Sequence, residues 1–184
     1  NPEEVKQVLK NCDLAINLVG ILYETRKQKF NQIHAEFPSL LSELCNELKV
    51  QKLVHVSALG VKEGHPSQYM RSKLQGEKNI QDTFKQSVIL RPSVVFGPED
   101  KFFNTFATLA QFSPVLPLIG GGKTVFEPIY VGDVAEAIVK SLELNNSKPS
   151  IYELGGENYS FKELMQILLN EIKKKRFLMP IPFG

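Results

Sequence analysis

The sequence predicts an α/β fold: a parallel sheet covered by helices. Two observations carry this. Short apolar runs at DLAINLVGIL (13–22), KLVHVSALG (52–60) and SVILRPSVVFGP (87–98) have the length of strands, and stretches of helical periodicity separate them. Strands alternating with helices at these lengths form βαβ units, which bring successive strands parallel.

The elements follow in order. NPEEV opens a helix, with Asn1 as N-cap, Pro2 in the first turn and two acids on the positive end of the dipole. The run at 13–22 is continuous enough to predict a strand buried on both faces. A long helix follows, with Phe30, Ile33, Phe37, Leu40, Leu41, Leu44 and Leu48 at helical spacing. Pro38 should kink it or open a new first turn. Residues 52–60 form the next strand, and a loop with Gly64 and Pro66 leads into a helix containing YMRSKLQGEK (69–78). A third strand over 87–98 stops at Gly97 and Pro98.

Beyond Asp100 the pattern loosens. It reads as a helix over 100–112, a Pro/Gly-rich loop SPVLPLIGGGKT (113–124), a short strand near 125–129 and a helix from Asp133. A strand SIYEL (150–154) and a helix capped at Ser160 complete it. SFKE has serine and glutamate at the spacing of a capping box. KKKRF places cations at a helix C-terminus, where the dipole favours them.

Composition sets bounds on function. The chain has 184 residues, 42% hydrophobic and 23% charged, as in an ordinary soluble globular domain. A formal charge of +2 is too small to indicate a nucleic-acid surface. The longest apolar run, Leu14 to Tyr23, falls far short of the roughly 20 residues that span a bilayer, so no transmembrane segment is expected. Cys12 and Cys45 stand at no metal or redox spacing, which points to a reduced, cytoplasmic-side compartment. His34, His55 and His65 have no partners at metal-ligand spacing, so no metal site is expected. GGGKT (120–124) has Pro117 where a phosphate loop needs glycine, and reads instead as a surface or substrate-side loop. The chain opens without methionine and stops on PIPFG, as a fragment cut at both ends would.

The chemistry centres on Tyr69 and Lys73. A phenol four residues before an ammonium group is a reactive pair, because the cation favours the phenolate. The spacing itself is weak evidence, since Tyr23 and Lys27 repeat it. Context separates the two. In an open parallel sheet ligands bind beyond the carboxyl ends of the strands. Tyr69 lies just past such an end, with Ser57 upstream, whereas no serine precedes Tyr23. The trio suits hydride exchange between a nicotinamide cofactor and a carbonyl. Tyr69 would be the acid or base, Lys73 would lower its pKa and bond the cofactor ribose, and Ser57 would orient the substrate oxygen. The bland alternatives are a partly exposed helix face for the pair, and a hydroxyl satisfied inside the sheet for Ser57. The strand ends NLVG, VSALG and RPSVVFG add Leu18, Val19, Gly20, Pro92, Ser93 and Val94 as cofactor-lining candidates. Gly76, mid-helix, costs ~1 kcal/mol against alanine and is tolerable where something packs closely on it.

Asn31, Ser57, Tyr69-x-x-x-Lys73, RPSVVFGPED and YVGDVAEAI together resemble the extended and atypical short-chain dehydrogenases, over nearly the whole chain. NLVG, VSALGV, YMRSKLQGEK, RPSVVFGPEDKFFN and EPIYVGDVAEAI are most similar to one branch. It comprises the NAD(P)H-binding accessory subunit of respiratory complex I (alpha subcomplex subunit nine) and its bacterial relatives. The resemblance implies a Rossmann-like doubly wound sheet. Residues 1–99 would be its C-terminal part, and 100–184 the remaining sheet elements with part of a substrate-side lobe. NADP or NAD is the implied cofactor.

Two departures qualify the resemblance. No stretch reads G-x-G-x-x-G, which implies that the glycine-rich first half lies outside this sequence and leaves the strand at 14–22 with an open edge. The working hydroxyl of the family's enzymes falls at Ala58, and a one-residue shift turns a strand side chain to the other face. Two functions therefore stand. One is a protein that holds cofactor in a structural or assembly role, with complex I subunits at the membrane surface as partners. It would be cytoplasmic or peripheral at the inner membrane, on the matrix side in a eukaryote. The other is an active NAD(P)-dependent reductase, epimerase or dehydratase of a small carbonyl or sugar-like substrate. IKKKRFLMPIPF reads as a solvated helix end running into a strand, with contact to an anionic membrane or a partner protein as its alternative.

Overall fold

A computed structural model of the protein describes residues 1–182. In chain order the elements are α1 (Pro2–Leu9), β1 (Leu14–Asn17), a π-helical turn (Gln32–Glu36) running into α2 (Phe37–Glu47), β2 (Lys52–Val56), α3 (Gln68–Thr83) and β3 (Ser87–Pro92). Then come β4 (Val95–Phe96), α4 (Phe102–Phe112), β5 (Val115–Ile119), β6 (Val125–Phe126), β7 (Ile129–Tyr130) and α5 (Val131–Glu143). The last are β8 (Ser150–Leu154), β9 (Tyr159–Ser160), α6 (Phe161–Glu171) and β10 (Phe177–Ile181). They form two compact units, Asn1–Pro92 with Ala135–Leu154 and Ser93–Val134 with Gly155–Gly184.

The first unit is the expected parallel sheet. Its order is β1-β2-β3-β8, with Leu14 opposite Lys52, Leu53 opposite Ser87 and Val88 opposite Ser150. Successive strand residues point to opposite faces, and the core divides accordingly. Leu53 packs with Leu9, Leu41, Leu44, Ile80 and Phe84, whereas Val54, Val88 and Leu90 meet Ala137, Ile138 and Leu142 of α5. Asn1 caps α1 as predicted, its Oδ1 accepting the Glu3 N–H at 3.2 Å.

Two expectations for this unit are corrected. The strand expected over 13–22 ends at Asn17, and it is not buried on both faces: Leu14 and Ile16 are 45% and 46% exposed. β1 is the sheet's edge strand, as the open-edge expectation requires. Asn17 turns the chain out of it, its Oδ1 accepting the Val19 N–H at 3.0 Å. The third run also divides: β3 stops at Pro92, and the residues after it pair elsewhere, with Val95 and Phe96 beside Ile129 and Tyr130. Proline lacks the N–H that would continue the ladder, which suits the last position of a strand.

Pro38 opens α2 in its first turn, as predicted, and its influence reaches backward. Without an N–H it cannot bond the His34 carbonyl, so the helical register widens. The Phe37 N–H instead bonds the Gln32 carbonyl, five residues back, and a π turn results.

The second unit has its own core of Ala110, Leu116, Leu118, Phe161, Leu164, Met165, Leu168 and Leu169. Here the loop expected over 113–124 is corrected, since Val115–Ile119 is a strand parallel to β10 with Val115 opposite Phe177. Leu116 and Leu118 alternate into the core, and Pro117 is tolerated because a two-stranded sheet leaves each strand a free edge. Gly120, Gly121 and Gly122 all have positive φ (63°, 70° and 74°), a conformation that explains the glycine run without a phosphate. The helix expected from Asp133 starts at Val131. The capping box forms: Ser160 Oγ accepts the Glu163 N–H at 3.2 Å, and the Glu163 carboxylate accepts the Ser160 N–H at 2.7 Å.

Candidate functional site

α3 starts at the carboxyl end of the sheet, because its chain has just left β2. Tyr69, Lys73 and Glu77 recur every fourth residue and share one helix face. The Lys73 Nζ donates to the carbonyl of Val56, the last residue of β2, at 3.2 Å. Gly76 lets the helix come this close. A Cβ at that position would stand 1.9 Å from the His34 carbonyl oxygen, the acceptor that Pro38 leaves without its helical donor. The close packing expected at Gly76 is therefore present.

Lys73 is only 4% exposed. Burial lowers its pKa to about 8, against the opposing pull of Glu77, so it is charged at neutral pH. Glu77 is buried and gripped by Arg91, with Nε to Oε1 at 3.0 Å and Nη2 to Oε2 at 2.6 Å. Arg91 also reaches Glu153 at 3.2 Å.

Tyr69 is half-buried, its ring edge-on to those of His34 (5.2 Å) and Phe30 (5.6 Å). One expectation fails here. Lys73 was to lower the tyrosine pKa, but burial raises it, since a low-dielectric setting disfavours the phenolate. The lysine ammonium bonds the Val56 carbonyl instead.

Sequence reasoning missed His34. Its side chain is 1% exposed, and its Nε2 accepts the Ile21 N–H at 3.0 Å. The proton therefore sits on Nδ1, which donates to Ser72 Oγ at 3.0 Å, and the Ser72 hydroxyl donates to the Tyr69 carbonyl at 2.7 Å. Burial first, and then the Lys73 charge, lower the His34 pKa to about 4. A local signal was available: His34 stands four residues before Pro38. Gly20 lies beside it, where a Cβ would be 3.4 Å from Lys73 Nζ and 3.7 Å from His34 Nε2.

A second buried row runs along β2. Asn17 Nδ2 donates to His55 Nδ1 at 3.0 Å, which leaves the His55 proton on Nε2. Among the described residues that Nε2 is buried without a partner, and so is the Ser57 hydroxyl. Burial lowers the His55 pKa to about 3. Ser57 is thus not the hydroxyl satisfied inside the sheet, although its N–H bonds the Leu90 carbonyl at 2.7 Å.

The structure brings Gly20 and Lys73 together, with Tyr69 on the same helix face as Lys73 and its ring against that of His34. Ser57 is next in the chain to the Val56 carbonyl that Lys73 binds. Leu18 and Val19 are exposed beyond the end of β1. Pro92 is the last residue of β3, and its carbonyl accepts the Leu59 N–H at 2.9 Å. Ser93 and Val94 belong to the second unit, where the Val94 carbonyl takes the Ile129 N–H at 3.0 Å.

The NAD dependent epimerase/dehydratase family matches residues 1–155. The chain is 33% identical over 184 residues to NADH dehydrogenase (ubiquinone) 1 alpha subcomplex subunit 9, mitochondrial, of Arabidopsis thaliana, covering 98% of this chain and 46% of that protein. To the protein of the same name from Mus musculus it is 31% identical over 182 residues, covering 98% and 48%. The chain thus spans about half the length of these curated relatives. Among solved structures it is similar to the UDP-glucuronic acid 4-epimerase of Bacillus cereus in complex with UDP-glucuronic acid and NAD. The TM-score is 0.84 at 22% identity, over 98% of this chain and 66% of that one, a likeness of fold. With most of its length matched, the chain belongs to the NAD dependent epimerase/dehydratase family.

Proposed function

We propose that this chain is part of a protein that binds NAD(P)(H) at the carboxyl ends of β1 and β2, and that serves as an accessory or assembly subunit of a complex I-like enzyme. The observation that carries this is the charged, buried Lys73 beside the bare backbone of Gly20. An ammonium group has three donors, and the Val56 carbonyl uses one. Two remain for the vicinal hydroxyls of a ribose, and Gly20 has no side chain to obstruct them. The Ser57 hydroxyl, buried and unpaired, is a further group in need of a partner. These residues fit a nicotinamide dinucleotide, which when bound supplies a hydride donor or acceptor. The relatives' names make those proteins subunits of a mitochondrial NADH dehydrogenase (ubiquinone), which supports partner subunits here; their place at a membrane surface is part of the proposal. Among the described residues no helix is long and apolar enough to cross a membrane.

Titration of NADH and NADPH against the protein with its native flanking sequence tests the site. Lys73→Met should weaken binding roughly tenfold or more, the loss of a charge-assisted hydrogen bond. Equal affinity in wild type and variant would remove the site from this face.

A second reading, an active reductase or epimerase, draws on the two unpaired buried groups, Ser57 Oγ and His55 Nε2. There Tyr69 would exchange a proton with the substrate oxygen. In a carbonyl-reduction screen Tyr69→Phe should then abolish turnover and leave cofactor affinity within about threefold. Absence of wild-type turnover alongside tight cofactor binding decides for the accessory role.

A further inference from the structure

We propose that His34 is the positioning residue of this site: one imidazole ties the main chain at Ile21 to the main chain at Tyr69, and thereby sets where Gly20 stands against Lys73. The proposal that this gap matters for cofactor rests on the dinucleotide reading above, whereas the clamp itself does not.

The hydrogen-bond directions allow a single arrangement. An amide N–H only donates, so Ile21 fixes Nε2 as the acceptor, and Nδ1 must carry the proton given to Ser72. Ser72 then spends its own proton on the Tyr69 carbonyl. No other protonation pattern satisfies all three bonds.

The ring itself cannot turn. It is stacked on Phe30 at 5.4 Å and 20°, and held edge-on to Tyr69 at 5.2 Å and 86°. Its backbone lies close against α3, where the π turn presents the His34 carbonyl to Gly76. A residue held by its ring contacts and by both ring nitrogens is a firm reference point.

The segment it anchors has little else to hold it. Between β1 and Thr25 two side-chain acceptors take main-chain donors: Asn17 Oδ1 takes the Val19 N–H, and His34 Nε2 takes the Ile21 N–H. Leu18 and Val19 between them are exposed. Gly20 keeps its distance from Lys73 because the next residue is pinned. His34 spends both ring nitrogens on Ile21 and Ser72, so it acts through Gly20, Lys73 and Tyr69.

The test uses variants that cut one bond each, in the protein with its native flanking sequence. His34→Asn places a donor near the Nδ1 position and removes the Nε2 acceptor. His34→Gln does the reverse, and Ser72→Ala cuts the link to Tyr69 while leaving the Ile21 bond. Amide hydrogen exchange at Ile21 and dissociation constants for NADH and NADPH are the readouts. In His34→Asn, Ile21 exchange should accelerate and dinucleotide affinity fall, each roughly tenfold, as expected for one shielded hydrogen bond. His34→Gln should hold Ile21 exchange within about twofold and restore most of the affinity. Ser72→Ala should leave Ile21 exchange unchanged and weaken binding by roughly threefold.

Equal behaviour of the Asn and Gln variants would overturn the proposal, since a merely structural histidine would lose both alike. If the His34 variants fail to fold, Ser72→Ala decides: weakened binding supports the clamp and unchanged binding overturns it. A wild-type protein that binds neither dinucleotide would refute the dinucleotide reading, and Ile21 exchange in the variants would still judge His34.

Discussion

The second unit buries phenylalanines, with Phe102, Phe106, Phe126 and Phe161 packed ring against ring around Leu116 and Met165. The first buries Lys73, Glu77, His34 and His55, and among the described residues every buried polar or charged side chain belongs to it. Taking an ion out of water costs several kcal/mol even after relaxation, and apolar replacements of buried ion pairs are often neutral or stabilising. Stability alone therefore gives no reason for the first unit's composition. Of the buried groups, Asn17, His34, His55, Ser57 and Lys73 lie where the chain leaves β1 and β2, the end of a parallel sheet at which ligands bind. Lys52 and Ser87 stand instead at the amino ends of β2 and β3. The contrast separates a unit built for packing from one that keeps chemistry beneath its surface.

The largest expected effect is in the apolar unit. Phe161 is 4% exposed and meets Phe106 at 5.3 Å, Phe126 at 6.1 Å and Phe102 at 6.2 Å. Phe161→Ala should cost ~4 kcal/mol in urea unfolding, transfer and cavity terms together. Next comes the buried pair. Glu77→Ala should cost ~3 kcal/mol, because it strands Arg91 with only the exposed Glu153 for company. A Glu77→Leu/Arg91→Met double variant should recover most of that loss. If the single variant costs under ~1 kcal/mol, the pair is effectively solvated and the contrast between the units weakens.

A smaller effect separates the units by pH. His34 and His55 are neutral in the fold, with pKa values near 4 and 3 against an ordinary 6.5. Between those limits the unfolded chain binds protons that the folded chain refuses. Stability is therefore fully present above pH 6.5 and falls as pH drops toward 4. The chain's histidines, 34, 55 and 65, all lie in the first unit. From pH 7 to 5, amide protection factors, with the intrinsic slowing of exchange at lower pH divided out, should fall in β1 and β2 and stay nearly level in α6. A uniform change across both units would show that the histidines do not govern it.

Much of this contrast was legible in the sequence, and what was hidden has physical causes. The parallel strands, α3 and the Tyr69–Lys73 pair follow from local period and from Ser57 upstream. Gly76 could be read as a close approach, though not what approached it. The end of β1 was hidden because Leu18, Val19, Ile21 and Leu22 continue its apolar run, and apolar character alone does not report that Asn17 caps Val19. β5 was hidden because Pro117 and Gly120–Gly122 carry loop chemistry, while its partner β10 lies far along the chain. His34 escaped because both its partners, Ile21 and Ser72, are distant in sequence. A lone histidine between Ile33 and Ala35 announces neither.

The smallest expected effect tests the contrast most sharply. Ser57 Oγ is buried with no hydrogen-bond partner among the described residues, so in the fold it carries the desolvation cost of a hydroxyl without the compensating bond. Replacing it with alanine removes a group that contributes nothing to the folded state, and its own N–H to the Leu90 carbonyl is untouched. Ser57→Ala should therefore change unfolding free energy by less than ~0.5 kcal/mol, in the stabilising direction if at all. On the proposed cofactor site, affinity, or turnover if the protein is an enzyme, should nonetheless fall, because the hydroxyl would there bond a polar atom of the ligand. Destabilisation of ~1.5 kcal/mol or more would instead identify Ser57 as a structural hydroxyl with a partner in the native protein. The first unit's buried polar groups would then owe their place to folding, as the phenylalanines of the second do.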